Sequence, residues 1–238
     1  MAFYGDSELN DFTHSDCDMS HLHIDSVAKS FGTRQVLTDI FISCKKGDII
    51  GLLGRNGAGK TTLMKIVFGS MHADFKFVRI GDKKSEGLYH NRNLINYLPQ
   101  HGFLPGHLKV NRIISLFCSK SDAAMISANA HIQPLLHQRA SHLSYGESRL
   151  LEIFLMIYSE AEYVLIDEPF NGIAPVYKEE IKSLIKEFSA KKGFIITDHD
   201  YRNITDVATR TILMHDGGIE EIRQKDDLKF WNYISENA

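Results

Sequence analysis

Gly54-Arg55-Asn56-Gly57-Ala58-Gly59-Lys60-Thr61 fits the spacing G-x-x-x-x-G-K-[ST]. The apolar run Asp48 to Leu53 precedes it, and a helical pattern from about Gly59 to Phe68 follows. A short apolar run ending in glycines is what a strand buried on both faces of a mostly parallel sheet looks like, so the motif dictates an α/β architecture. In such a turn the glycines let successive backbone N–H groups face inward on a triphosphate, and the helix N-terminus adds its positive dipole end. Lys60 can then reach the β and γ phosphates, and the Thr61 hydroxyl can meet Mg²⁺. The fold expected is a P-loop NTPase core, with ATP and Mg²⁺ as its ligands.

Other segments supply what the loop needs. Tyr163-Val-Leu-Ile-Asp167-Glu168 reads as a buried strand ending abruptly in two carboxylates. Ligands of parallel sheets bind at the carboxyl ends of strands, so Asp167 can hold the metal while Glu168 reaches beyond it to a water. His199 follows a further strand, Phe194 to Thr197, whose exit residues are polar. By position alone it is as much a surface histidine as a catalytic one.

The rest of the chain frames these pieces. Residues 1–20 carry Asp6, Glu8, Asp11, Asp16 and Asp18 without a sustained period, and read as an acidic, mobile extension. His21 to Val27 alternates like a strand, Gln35 to Ser43 reads as a second, and Lys46-Gly47-Asp48 as a turn, which makes an antiparallel β subdomain at the start of a domain spanning 21–238. Strands are expected at Phe75 to Ile80 and Leu94 to Leu98. Helices without an intervening strand are expected at Val110 to Phe117 and Ala123 to Ala130, forming a helical subdomain inserted at about 103–158. A helix after Ser144 to about Tyr158, another at 175–190, and a last set of strands and a helix complete the α/β alternation.

Composition narrows the function classes. The formal net charge of -3 shows no basic excess for a polynucleotide, so no nucleic-acid partner is expected. Cys17, Cys44 and Cys118 are scattered and match no metal spacing, which fits free thiols in a reducing compartment. No apolar run approaches the length needed to span a bilayer, and no secretory signal is visible. The expected location is cytoplasmic.

Leu143-Ser144-Tyr145-Gly146-Glu147 resembles the signature of ATP-binding cassette (ABC) ATPases, usually written L-S-G-G-[QE]. Physically, Ser144 with Glu147 three residues on is also a capping box that opens a helix. The resemblance covers about residues 21–225. It implies that Gly54 to Thr62 is the Walker A loop, with Gly54, Asn56, Gly57, Ala58, Gly59, Lys60, Thr61 and Thr62 binding nucleotide, that Asp167 is the Walker B aspartate, and that Glu168 activates the attacking water. Gln100 looks like the Q-loop glutamine that senses the γ-phosphate and Mg²⁺, His199 like the H-loop histidine that hydrogen-bonds the γ-phosphate, and Phe31 like the aromatic residue that stacks on adenine. In such ATPases Ser144, Gly146 and Glu147 would face the nucleotide of a second subunit in a head-to-tail dimer, a homodimer or a heterodimer with another cassette. Two departures stand out: Tyr145 replaces a usual glycine, and Ala174 stands where the D-loop aspartate is expected.

The wording around Glu168-Pro-Phe170 and Ile196-Thr-Asp-His199 is similar to the ATPases of lipopolysaccharide export and of branched-chain amino acid import. That implies an ATP-hydrolysing subunit powering transport through a separate transmembrane permease, peripheral on the cytoplasmic face and meeting the membrane only through its partner. The permease would dock beside Gln100 and residues 101–120. A soluble cassette ATPase of iron-sulfur cluster assembly or another non-transport process stays open, as does a weakly active regulatory subunit.

Overall fold

In a computed structural model, which describes residues 21–85, 87–88, 91 and 93–235, the alternating segment from Leu22 becomes β1 (Leu22–Phe31) and turns back as β2 (Arg34–Cys44). β1 also pairs antiparallel with β4 (Phe75–Ile80), and β5 (Lys83–Lys84) closes the edge, giving the order β2-β1-β4-β5. One face carries Leu22, Ile24, Val27, Leu37, Ile40 and Val78 into the core. Ile24 and Val27 are three residues apart and should face opposite sides. The register slips between them, where Ser26 takes φ 51°, and this bulge returns Val27 to the buried face. The acidic extension 1–20 lies outside the described residues.

The second sheet has the order β10-β9-β3-β8-β7-β6. Its strands are β3 (Ile49–Gly54), β6 (Ile95–Leu98), β7 (Tyr163–Asp167), β8 (Gly193–Thr197), β9 (Arg210–His215) and β10 (Gly218–Ile222). All neighbours pair in parallel except β10, which runs antiparallel on β9. All six residues of β3 are buried. Ile50 and Leu52 face one core with α1 (Lys60–Phe68) and the antiparallel sheet, while Ile49 and Leu53 face another with α4 (Tyr145–Ile157) and α5 (Pro175–Ser189). The fold is the expected α/β P-loop architecture.

Burial fixes α4 more firmly than propensity does. Leu150, Leu151, Ile153, Phe154, Leu155 and Ile157 are all buried, each worth about 1.5–3 kcal/mol on leaving water. α2 (Val110–Phe117) and α3 (Lys120–Ala128) send Val110, Ile113, Ile114 and Ile126 into the same core. α3 starts three residues before the expected Ala123, because the Ser119 side chain accepts from the Asp122 amide and caps it there. The five-residue α6 (Tyr201–Thr205) and the two-residue β5 are too short to show a period and were not expected; α7 (Lys225–Phe230) is the closing helix.

Candidate functional site

The loop between β3 and α1 is shaped by glycines. Gly59 caps α1 at φ 102°, a left-handed conformation that favours glycine, and a Cβ there would lie 2.7 Å from Leu37 Cδ2, so another residue would be strained and would push the Leu37 side chain aside. No side chain caps α1, which leaves its first amides available to an anion. Lys60 is only 6% exposed, and its Nζ donates to the Gly54 carbonyl at 2.6 Å and the Arg55 carbonyl at 3.3 Å. Burial pulls the Lys60 pKa below the usual lysine value, against the opposing pull of Glu168, Asp167 and Asp198.

The next residue joins this loop to the carboxyl end of β7. Thr61 Oγ1 donates to Asp167 Oδ2 at 2.7 Å, and Tyr97 OH donates to the same oxygen at 3.2 Å. Thr197, beside Asp167 in the register of β8, donates its hydroxyl to Oδ1 at 2.6 Å. Burial, then the Asp167 charge, pushes the Tyr97 phenol well above the usual tyrosine range, so it stays a donor. Behind the strand end Arg149 of α4, 1% exposed, donates to the Asp167 carbonyl and, at 2.7 Å, to the Pro99 carbonyl.

Immediately after β7 the chain leaves ordinary strand geometry. Glu168 adopts φ 52°, an uncommon conformation for a non-glycine residue, and its amide donates to the carbonyl and hydroxyl oxygens of Thr197. This turns its side chain toward Gln100, whose Nε2 donates to Glu168 Oε2 at 2.9 Å; Asn171 Nδ2 donates to the same oxygen at 3.2 Å. His199 is half-exposed at the exit of β8. Its neighbour Asp198 is buried, and burial raises its carboxyl pKa despite a bond from the Asp200 amide.

These groups share a cleft of about 580 Å³. Phe31, Arg34 and Val36 line one end, Asn56, Gly57, Gly59, Lys60, Thr61 and Thr62 the floor, and Gln100, Glu168, Asn171 and His199 the other end. Gly54 meets the site through its carbonyl and Asp167 through Thr61, while Ala58 packs against the core. Phe31 is half-exposed with the Lys29 ammonium 5.3 Å from its ring centre, so it is no core residue.

Ser144, Gly146 and Glu147 do not line the cleft. They open α4 with both halves of a capping box: the Glu147 amide donates to Ser144 Oγ at 3.3 Å, and the Ser144 amide to Glu147 Oε2 at 2.8 Å. Tyr145 stands half-exposed against Gly172, where a Cβ would lie 3.5 Å from its ring. Ala174 is the exposed N-cap residue of α5. Thr197, Tyr97, Arg149, Asn171 and Arg34 were not singled out from the sequence. Only Thr197, a polar residue ending an apolar run, carried a visible signal.

A family model described as ABC transporter matches residues 37–171. The chain belongs to the ABC transporter family. It is 34% identical over 218 residues to the lipopolysaccharide export system ATP-binding protein LptB of Haemophilus influenzae, covering 84% of this chain and 89% of that protein. The LptB of Escherichia coli K12 is 30% identical, covering 84% and 88%. Among solved structures, an ATP-binding cassette of an ABC transporter superposes with TM-score 0.74 at 26% identity, covering 89% of this chain and 94% of that one. A nucleotide-free cassette gives TM-score 0.76 at 22% identity, covering 92% and 97%. The chain is thus an ABC transporter ATP-binding subunit with the ATPase fold of the family. Among the described residues no helix is long and apolar enough to cross a membrane.

Proposed function

We propose that this cassette hydrolyses ATP to ADP and phosphate at the cleft floored by Lys60 and Thr61, and couples that reaction to transport through a separate transmembrane permease. The observation that carries the reading is the Glu168 carboxylate, held by the Gln100 and Asn171 amides beside the phosphate loop. Phe31 stacks on adenine, and the amides from Gly54 to Thr62 with Lys60 hold the β and γ phosphates. Glu168 accepts the proton of the attacking water, and the amides on its Oε2 orient the remaining oxygen toward that water. His199 donates to the γ-phosphate and fixes its orientation.

Thr61, Asp167 and Gln100 would hold Mg²⁺, which when bound neutralises charge on the phosphates. The donor set fits it: hard oxygens of Thr61 and Asp167 already converge at 2.7 Å. Among the described residues no group of three or more His, Cys, Asp and Glu forms a complete cage, as suits a cation that shares its ligands with substrate phosphates.

The capping box at Ser144 to Glu147 lies off the cleft of its own chain, which supports a head-to-tail dimer, homomeric or with another cassette, in which the start of α4 reaches the partner's nucleotide. Residues 21–238 are then one ATPase domain with a helical insertion at about 103–158. The domain sits peripherally on the cytoplasmic face of a membrane through its permease. The names of the relatives favour an export system. Glu168→Gln tests the centre of this reading: ATP binding should persist while turnover falls at least about 100-fold. Near-normal hydrolysis by that variant removes Glu168 as the base.

A further inference from the structure

The segment after α7 returns to the phosphate loop, where residues 230–233 line a pocket with Arg55 to Ala58. Leu228 anchors it in the core, and the ring of Trp231 packs 4.4 Å from that of His215. Asn232 then takes φ 52°, a left-handed turn that asparagine tolerates better than most residues. At this turn Arg55, inside the phosphate loop, donates to the Asn232 carbonyl at 2.6 Å. The turn also aims Tyr233 inward, between the start of the phosphate loop and the exit of β8. Its phenol donates to the His199 carbonyl at 3.2 Å, and Gly54, Arg55, His199 and Tyr233 line one pocket. Burial raises the pKa of this phenol, so it remains a protonated donor.

Two adjacent residues therefore tie two loops that are far apart in sequence: the Asn232 carbonyl holds Arg55 of the phosphate loop, and the Tyr233 hydroxyl holds the His199 carbonyl at the exit of β8. His199 has little else to hold it. Its side chain is half-exposed, and its nearest charged neighbour, Asp198 Oδ1, is 3.8 Å from Nδ1. Beyond Asp198, the loop is fixed by the Asp200 amide on Asp198 Oδ1 and by the Asp200 cap of α6. We propose that Tyr233 is a positioning residue for ATP hydrolysis, its hydroxyl setting the place of His199 relative to the phosphate loop. This rests on the reading of His199 as a γ-phosphate donor. A site that must hold its groups to a fraction of an ångström loses rate when such a tie is cut, even if binding survives.

The test uses the full chain, steady-state ATPase rates and the affinity of a fluorescent non-hydrolysable ATP analogue. Tyr233→Phe keeps the ring and removes the hydroxyl, whereas Tyr233→Ala removes both. Both variants should lower kcat by about five- to tenfold, the size expected for one lost hydrogen bond, while analogue affinity stays within about twofold. Combining Tyr233→Phe with His199→Ala should give no loss beyond that of His199→Ala alone. Full activity of Tyr233→Phe beside an impaired Tyr233→Ala would show that the ring only packs, and losses that multiply in the double variant would show that Tyr233 does not act through His199; either overturns the proposal. Unchanged turnover in His199→Ala would instead sink the underlying role of His199, and the proposal with it.

Discussion

Replacing Arg149 by Met should destabilise the fold far more than an average substitution. The guanidinium is 1% exposed and the Glu152 carboxylate beside it 3% exposed, 3.5 Å away. Removing one partner of a buried pair leaves the other charge uncompensated, which costs about 3–5 kcal/mol. Among the described residues Glu152 then keeps only the Phe103 amide, at 2.8 Å. The carbonyls of Pro99 and Asp167 lose their donor as well, which places the expected loss toward the upper end of that range. Against a total stability of about 5–15 kcal/mol this is a large share. Urea unfolding followed by circular dichroism should show the midpoint falling by about 2 M, taking a slope of about 2 kcal/mol per molar. The double variant Arg149→Met with Glu152→Met removes both charges and should recover at least half of the loss, the orphaned carbonyls and Phe103 amide accounting for the rest. A single variant within about 1 kcal/mol of the parent, or a double variant no better than the single one, would refute the claim that an uncompensated carboxylate is what hurts.

Two further substitutions read other parts of the same architecture. Burial raises the Asp198 carboxyl, so the folded chain holds that proton more tightly than the unfolded one, and stability falls as pH rises from the unfolded to the folded value; Asp198→Asn should therefore gain over the parent at neutral pH, with the advantage shrinking as acidification passes the raised folded value and gone once the pH is below the ordinary value of 3.8 in thermal melts. Ala174 starts α5 with no side-chain cap and with backbone dihedrals of -64° and 147° suited to one, so Ala174→Asp should add about 0.5–2 kcal/mol of stability by denaturant titration; no gain would mean that Pro175 or the exposed first turn leaves the carboxylate unable to reach the helix amides.

How legible the chain was depended on whether chemistry was written contiguously or assembled in space. The phosphate loop could be read outright, because its glycines, lysine and threonine are consecutive and the strand and helix around them carry their own periods. β3 showed itself as an unbroken apolar run because both of its faces are buried. The capping box at Ser144 and Glu147 was visible for the same local reason, and both of its hydrogen bonds form. Tyr97 and Arg149 could not be found that way, and Thr197 showed only as the polar end of an apolar run: they surround Asp167 because β8 and β6 flank β7 and α4 packs behind it. The bulge at Ser26 was hidden too, since no residue type announces a slipped register. Gln100 was noticed through resemblance and Glu168 already at the end of an apolar strand, but their 2.9 Å contact across 68 residues is a property of the fold.

The phosphate loop also turns out to be occupied by itself. Lys60 donates to two carbonyls of its own loop, and Thr61 donates to Asp167. A phosphate arriving at Lys60 can take the third N–H of the ammonium while the two carbonyls keep theirs, whereas a cation arriving at Thr61 must displace the hydroxyl proton's contact with Asp167. Binding is therefore a gain of a partner at Lys60 and a swap of partners at Thr61, where the enthalpy of the new contact is set against that of the old one. The same self-contained bonds keep the lysine and the threonine from wandering, so the geometry a triphosphate meets is already drawn when it arrives.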